Sequence, residues 1–213
     1  MYDNDSFEEL KNFETELPSG YRQAAYINAK DKKFGIIFNV IAVAVLAVVM
    51  VAAVFSLKLS DRLYFGDFQE SITELFIAYV ILMVSMIGYI VLHELVHGIA
   101  YKALTGEKLT FGISWSCAFC GVPNIFTYRK TAMISVAAPF TVFSIMFIPI
   151  LIVLFFTNTI YYLVAAFIFG LHLGGCSGDL YVLYLLTFKY TSEKILMRDT
   201  GPEQFFYVPE DKQ

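Results

Sequence analysis

His93, Glu94 and His97 fall in the run VLHELVHGIAY, residues 91–101. Two histidines four residues apart share one helix face, because a turn of helix rises only about 5.4 Å. Both imidazoles can then converge on one Zn2+ ion, with the intervening glutamate as general base toward a metal-activated water. His-Glu-x-x-His is a short pattern that recurs by chance, so its surroundings decide its weight. Here it closes a long apolar segment, where ionisable side chains are costly unless paired or ligating. Gly98, Ile99 and Ala100 continue the apolar pattern beyond it, which argues against a simple solvated helix end.

A catalytic zinc usually has three protein ligands and an open position for water. The candidates for the third are few. Asp179, in LHLGGCSGDLYVLY, is the first charged residue after Lys130, and His172 stands seven positions before it. Cys117 and Cys120 form Cys-x-x-Cys, a weak signal without two further ligands nearby, and are expected to be structural or incidental. Cys176 has no charged neighbour to activate it as a nucleophile.

The elements that must position these residues follow from composition. The chain has 213 residues, of which 58% are hydrophobic and 16% charged, with a mean hydropathy of +0.64. A soluble domain carries about 25% charged residues. The expected fold class is an all-α polytopic membrane protein with four transmembrane helices: residues 34–57, 72–104 (with the HELVH motif), 131–156 and 160–188 (with Asp179). Residues 1–33 and 190–213 read as polar arms, and no early apolar stretch suggests a cleavable leader. Lys30, Lys32 and Lys33 precede the first span; Lys102, Lys108, Arg129 and Lys130 lie between the second and third; Lys189, Lys194 and Arg198 follow the fourth. The other side has only Lys58 and Arg62. This bias orients both termini toward the cytoplasm of what we expect to be a bacterial cytoplasmic membrane. The net charge of −4, with no basic cluster, gives no reason to expect nucleic acid as a partner.

Depth then separates the candidates. Counted from the outer ends of their spans, His93 and Asp179 each lie roughly 30 Å along a helix, whereas His172 lies about 10 Å nearer the outer face. Asp179 is the expected third ligand. His172 is expected to be hydrogen-bonded between helices, with a supporting role behind the ligands as the alternative. Gly170, Gly174 and Gly178 form a small-residue ridge that allows close helix packing, here expected to bring Asp179 to the metal. Pro139 is expected to bend the third span. Between the second and third spans, residues 108–130 include Phe111, Ile113 and Trp115 at strand spacing, then Gly121 and Pro123. They suggest a short β-hairpin or re-entrant loop. Ile113, Pro123 and Asn124 are its candidate substrate-binding residues.

HELVH on one membrane helix and SGDL on a later one make the chain resemble the site-2-protease-like intramembrane zinc metalloproteases. It is most similar to short bacterial zincin-type peptidases of unknown function. The resemblance implies Zn2+ held by His93, His97 and Asp179, with Glu94 as the general base. The substrate it implies is a membrane-embedded peptide or protein within the lipid bilayer. AAPFTVF, residues 137–143, is faintly similar to the Gly-Pro segment of that group. The aspartate stands in Gly178-Asp179-Leu180 rather than Leu-Asp-Gly, and the group's substrate-binding Asn/Pro segment has only Val122-Pro123-Asn124 as a counterpart. The alternatives are a zinc hydrolase of a lipid or amphiphile and a non-catalytic zinc-binding membrane scaffold, for which Glu94 would be superfluous. Transport is disfavoured, since no pair of discontinuous helices appears in corresponding halves.

Overall fold

A computed structural model describes residues 11–63, 68–113 and 118–210. In chain order its elements are β1 (Phe13–Glu14), β2 (Tyr21–Asn28), α1 (Lys32–Leu59), α2 (Phe68–Thr105), β3 (Thr110–Ile113), β4 (Ala118–Gly121), β5 (Phe126–Tyr128), α3 (Arg129–Thr157), α4 (Thr159–Gly175), α5 (Ser177–Tyr184), a π-helical turn (Leu185–Lys189), β6 (Leu196–Asp199) and β7 (Glu203–Pro209).

Among the described residues, four helical stretches are long and apolar enough to cross a membrane: Lys32–Leu59, Ile72–Thr105, Arg129–Thr157, and Thr159–Lys189 taken through α4, α5 and the π turn. They point to a membrane protein. Their outward faces carry residues such as Val43, Val48, Val51, Phe76 and Ile145 with more than half their surface exposed, which is costly in water and costs nothing in hydrocarbon. Local chemistry sets the ends. The Asp31 carboxylate accepts the Lys33 N–H at 2.8 Å and starts α1. Gly106, at φ +69°, stops α2 in the left-handed conformation that favours glycine. Asn158 ends α3, and its side-chain oxygen accepts the Tyr161 N–H at 2.9 Å to open α4.

The all-α expectation is corrected: the fold is mixed α/β. A five-stranded antiparallel sheet runs in the order β1-β5-β6-β7-β2, and β3 and β4 form a separate two-stranded hairpin. The terminal segments that read as polar arms supply β1, β2, β6 and β7. One row of partners crosses the whole sheet: Phe13, Thr127, Met197, Phe206, Ala25. Met197 and Phe206 are fully buried against Val136 of α3 and Leu185 and Leu186 of the π turn. Each such side chain contributes about 1.5–3 kcal/mol, which is how strands of two to four residues persist. The sheet therefore rests on the ends of α3 and α5.

The hairpin is tied to the helix that carries the histidines. A Cβ on Gly98 would stand 2.7 Å from the Phe111 ring, so only glycine lets β3 lie this close to α2. At its other end, the Val122 N–H donates to the Asp199 carbonyl at 2.8 Å, joining hairpin to sheet. Trp115 and Cys117 lie outside the described residues.

The fourth span is not one continuous helix. It breaks at Cys176, after Gly174-Gly175, and α5 starts afresh with Asp179 in its first turn. The small-residue ridge also has a different neighbour from the one expected. Cβ atoms on Gly170 and Gly174 would strike Leu46 and Ala42 of α1, so the ridge seats the first span. Around Gly178 a Cβ would meet nothing within 4 Å. Gly178 is therefore not part of the seat for α1, and Asp179 follows it in the first turn of α5.

Candidate metal centre

Every fourth residue of α2 from 89 to 101 is polar or titratable: Tyr89, His93, His97, Tyr101. Because Cβ atoms four apart stack on one helix face, these side chains form a single inward stripe. His93, His97 and Tyr101 are buried, and each finds a partner on another element. Tyr101 donates to the Asp199 carboxylate of β6 at 2.7 Å. Gly201 N–H donates to its other oxygen at 2.8 Å. Burial pushes the Asp199 carboxyl up to about 6, against the lowering effect of those two bonds.

His93 Nε2 lies 3.2 Å from Asp179 Oδ2, and His97 Nε2 lies 3.3 Å from the same oxygen. All three donor atoms fall within 4.8 Å of one another. Zinc bonds of 2.0–2.1 Å set tetrahedrally put donor atoms about 3.3 Å apart, so the spacing to Asp179 already matches a tetrahedron edge. The Asp179 side chain keeps 26% of its surface exposed, leaving an approach to the cluster. His97 Nδ1 lies 2.8 Å from the Ser135 carbonyl oxygen of α3. A carbonyl only accepts, so the imidazole proton sits on Nδ1 and the Nε2 lone pair is turned to the cluster. Donor types, spacing and orientation all fit zinc.

The family model described as "putative zincin peptidase" matches residues 86–192, just over half of the chain. The chain belongs to this family. Membership in this family implies zinc and, at a coarse level, a zinc metallopeptidase. No curated protein and no solved structure matches the chain.

A second group, His93, His172 and Cys176, also brings metal-type donors together. The Tyr89 hydroxyl fills it. That oxygen lies 3.0 Å from His93 Nδ1 and 3.0 Å from His172 Nδ1, while His172 Nε2 lies 3.1 Å from Ser144 Oγ on α3. His172 thus bonds between helices inside a cage of Phe140, Phe143, Phe147 and Phe169, about two turns before Asp179. When His93 presents Nε2 to a metal, its proton is on Nδ1. Tyr89 then accepts that proton's hydrogen bond and donates its own to His172. Tyr89 was missed from the sequence, although its place four residues before His93 was the available signal. Tyr89→Phe is expected to weaken zinc binding about tenfold with little loss of fold, as read by chelator competition beside thermal unfolding.

Glu94 lines one cavity with Ala118, Phe119 and Cys120 of β4. Two cavities meet there. A smaller one of about 120 Å³ is bounded by Glu94, His97, Asp179, Asp199 and the β4 residues Ala118–Cys120. A larger one of about 430 Å³ lies between α1, α2 and α4, among Phe38, Ala42, Tyr89, His93, Gly174 and Gly175. Both include Ala29, Phe38, Glu94, Ala118 and Gly178, which form the neck between them.

The structure does not bring Ile113, Pro123 or Asn124 to either lining. Ile113 is exposed on β3, the Pro123 carbonyl accepts from Arg198 at 2.8 Å, and Asn124 is exposed in the turn. The buried Cys120 thiol is pushed up to about 12 by burial, which leaves it unreactive as a nucleophile.

Proposed function

We propose that this zincin is a site-2-protease-like intramembrane metallopeptidase that hydrolyses peptide bonds in or beside membrane segments. The observation that carries the reading is the position of Glu94. It stands beside the His93, His97 and Asp179 donors, at the neck between a cavity framed by membrane-type helices and one capped by the sheet. His93, His97 and Asp179 would hold the metal. Bound zinc would polarise a scissile carbonyl and make a nearby water more acidic. The Glu94 carboxylate takes the proton of that water and delivers it to the leaving amine nitrogen. Asp179 would add the anionic donor, its Oδ2 and the two Nε2 lone pairs all available to one cation.

The substrate in this reading is a membrane-embedded peptide or protein. A segment enters between α1 and α2, both of which line the larger cavity, and must be extended where it passes Glu94, since a helix hides its carbonyls. The β4 edge supports this. Among the described strands β4 has β3 as its one neighbour, so an extended segment could add to its other edge. Ala118→Pro, which removes a neighbouring edge donor, is expected to slow cleavage at least tenfold while zinc content stays at the wild-type level. Equal loss of both would sink the pairing. Both termini and the sheet would face the cytoplasm of a bacterial membrane. The segments that build the sheet are those flanked by the excess of Lys and Arg.

The test compares cells carrying the wild type with cells carrying Glu94→Gln by terminus-selective peptide sequencing of the membrane fraction, beside lipid profiling. New peptide termini inside or next to apolar segments, present only with the wild type, are the expected result. Unchanged termini with an altered lipid profile would replace the peptidase by a lipid hydrolase. No change in either would favour the non-catalytic scaffold.

A further inference from the structure

α3 continues as a helix through Pro139. In an α-helix the N–H of residue 139 would donate to the carbonyl of residue 135, and proline has no N–H to give. The Ser135 carbonyl is therefore left without its helical donor. Ser135 and Pro139 are both fully buried, and a carbonyl left unpaired in a water-free setting costs as much as a lost hydrogen bond or more. Its partner is His97, whose Nδ1 lies 2.8 Å away.

Two deficits cancel in this arrangement. A histidine that offers Nε2 to a metal needs an acceptor for its Nδ1–H, and a proline inside a buried helix leaves an acceptor in need of a donor. We infer that Pro139 is a positioning residue of the metal centre: by withholding an N–H it frees the Ser135 carbonyl to fix the ring and tautomer of His97. Bending of α3 alone would not require the vacant carbonyl to be the one opposite a zinc-type histidine. The inference rests on His97 being a metal ligand, and it extends that reading to a residue that touches neither metal nor substrate. Ser135 contributes its backbone and not its side chain, whose hydroxyl has no hydrogen-bond partner among the described residues.

The test separates the N–H from the ring. Pro139→Ala restores the N–H; the α-hydroxy acid analogue of alanine at position 139, introduced as a backbone ester, has the same side chain and no N–H. Ser135→Ala keeps the carbonyl. Zinc affinity of the full-length purified protein is measured by chelator competition, and thermal unfolding of the metal-free form reports the fold of each variant. Pro139→Ala is expected to bind zinc about 10- to 100-fold more weakly, whereas the ester analogue and Ser135→Ala match the wild type. Wild-type affinity in Pro139→Ala overturns the inference. So does equal loss in Pro139→Ala and the ester analogue, which would make the ring's packing responsible. If Pro139→Ala does not fold, the ester analogue decides alone: wild-type affinity supports the inference and weakened affinity overturns it. Absence of zinc from the wild-type protein is a separate result, which removes the metal centre itself and this inference with it.

Discussion

Exchange of Glu94 for glutamine is expected to slow peptide hydrolysis about 10²- to 10⁴-fold, the range supplied by a positioned general base, while zinc stays bound. The side chain keeps its length and shape, so the neck of the cavities is preserved. What is lost is the ability to take a proton. Turnover on a peptide substrate, measured beside zinc content and thermal unfolding, checks each part. A variant that holds zinc and still hydrolyses at the wild-type rate would show that Glu94 is not the base.

Replacing Asp179 by alanine is expected to act on the metal itself. Asp179 Oδ2 lies within 3.3 Å of both histidine Nε2 atoms, so its removal takes away the third donor and leaves two. Structural zinc binding of about 10–16 kcal/mol spread over four ligands assigns one ligand roughly 3–4 kcal/mol, or on the order of 10²- to 10³-fold in affinity. Because Asp179 lies in the first turn of a short helix and outside the core built on Met197 and Phe206, its loss should spare that core. His172→Ala, by contrast, leaves the three donors in place and removes only the far end of the Tyr89 chain. Zinc retained in Asp179→Ala and lost in His172→Ala would reverse the assignment.

How much of this could be read from the residues depended on whether a feature is local. The apolar lengths of the helices are local, and so is the HELVH spacing. Asp179 could be matched to His93 because depth along two helices is a count of residues. The sheet could not be read this way. β1, β5 and β6 are two, three and four residues long, too short to show alternation, and Phe13 pairs with Thr127 across more than a hundred positions. YRQAAYIN and EQFFYVP do carry the aromatic and β-branched residues of strands. Their place in charged terminal segments made them read as arms. The glycine ridge was seen but assigned to the wrong neighbour, since a small-residue stripe says that a helix comes close without saying which one.

Two site residues show a different limit. Tyr89 and Tyr101 continue the four-residue spacing of His93 and His97, so the stripe was visible although its partners, His172 and Asp199, were not. Pro139 was visible as a bend and as part of the AAPFTVF segment. Its link to His97 needs the knowledge that the Ser135 carbonyl faces α2, which no pattern within α3 contains.

The most direct test of the central claim is the coordination shell of zinc in the purified wild-type protein, by X-ray absorption at the zinc edge. His93, His97 and Asp179 predict a four-coordinate shell of nitrogen and oxygen at about 2.0–2.1 Å, with two imidazoles and no sulfur. A sulfur scatterer at about 2.3 Å would move the metal to the His93, His172 and Cys176 group and contradict the account.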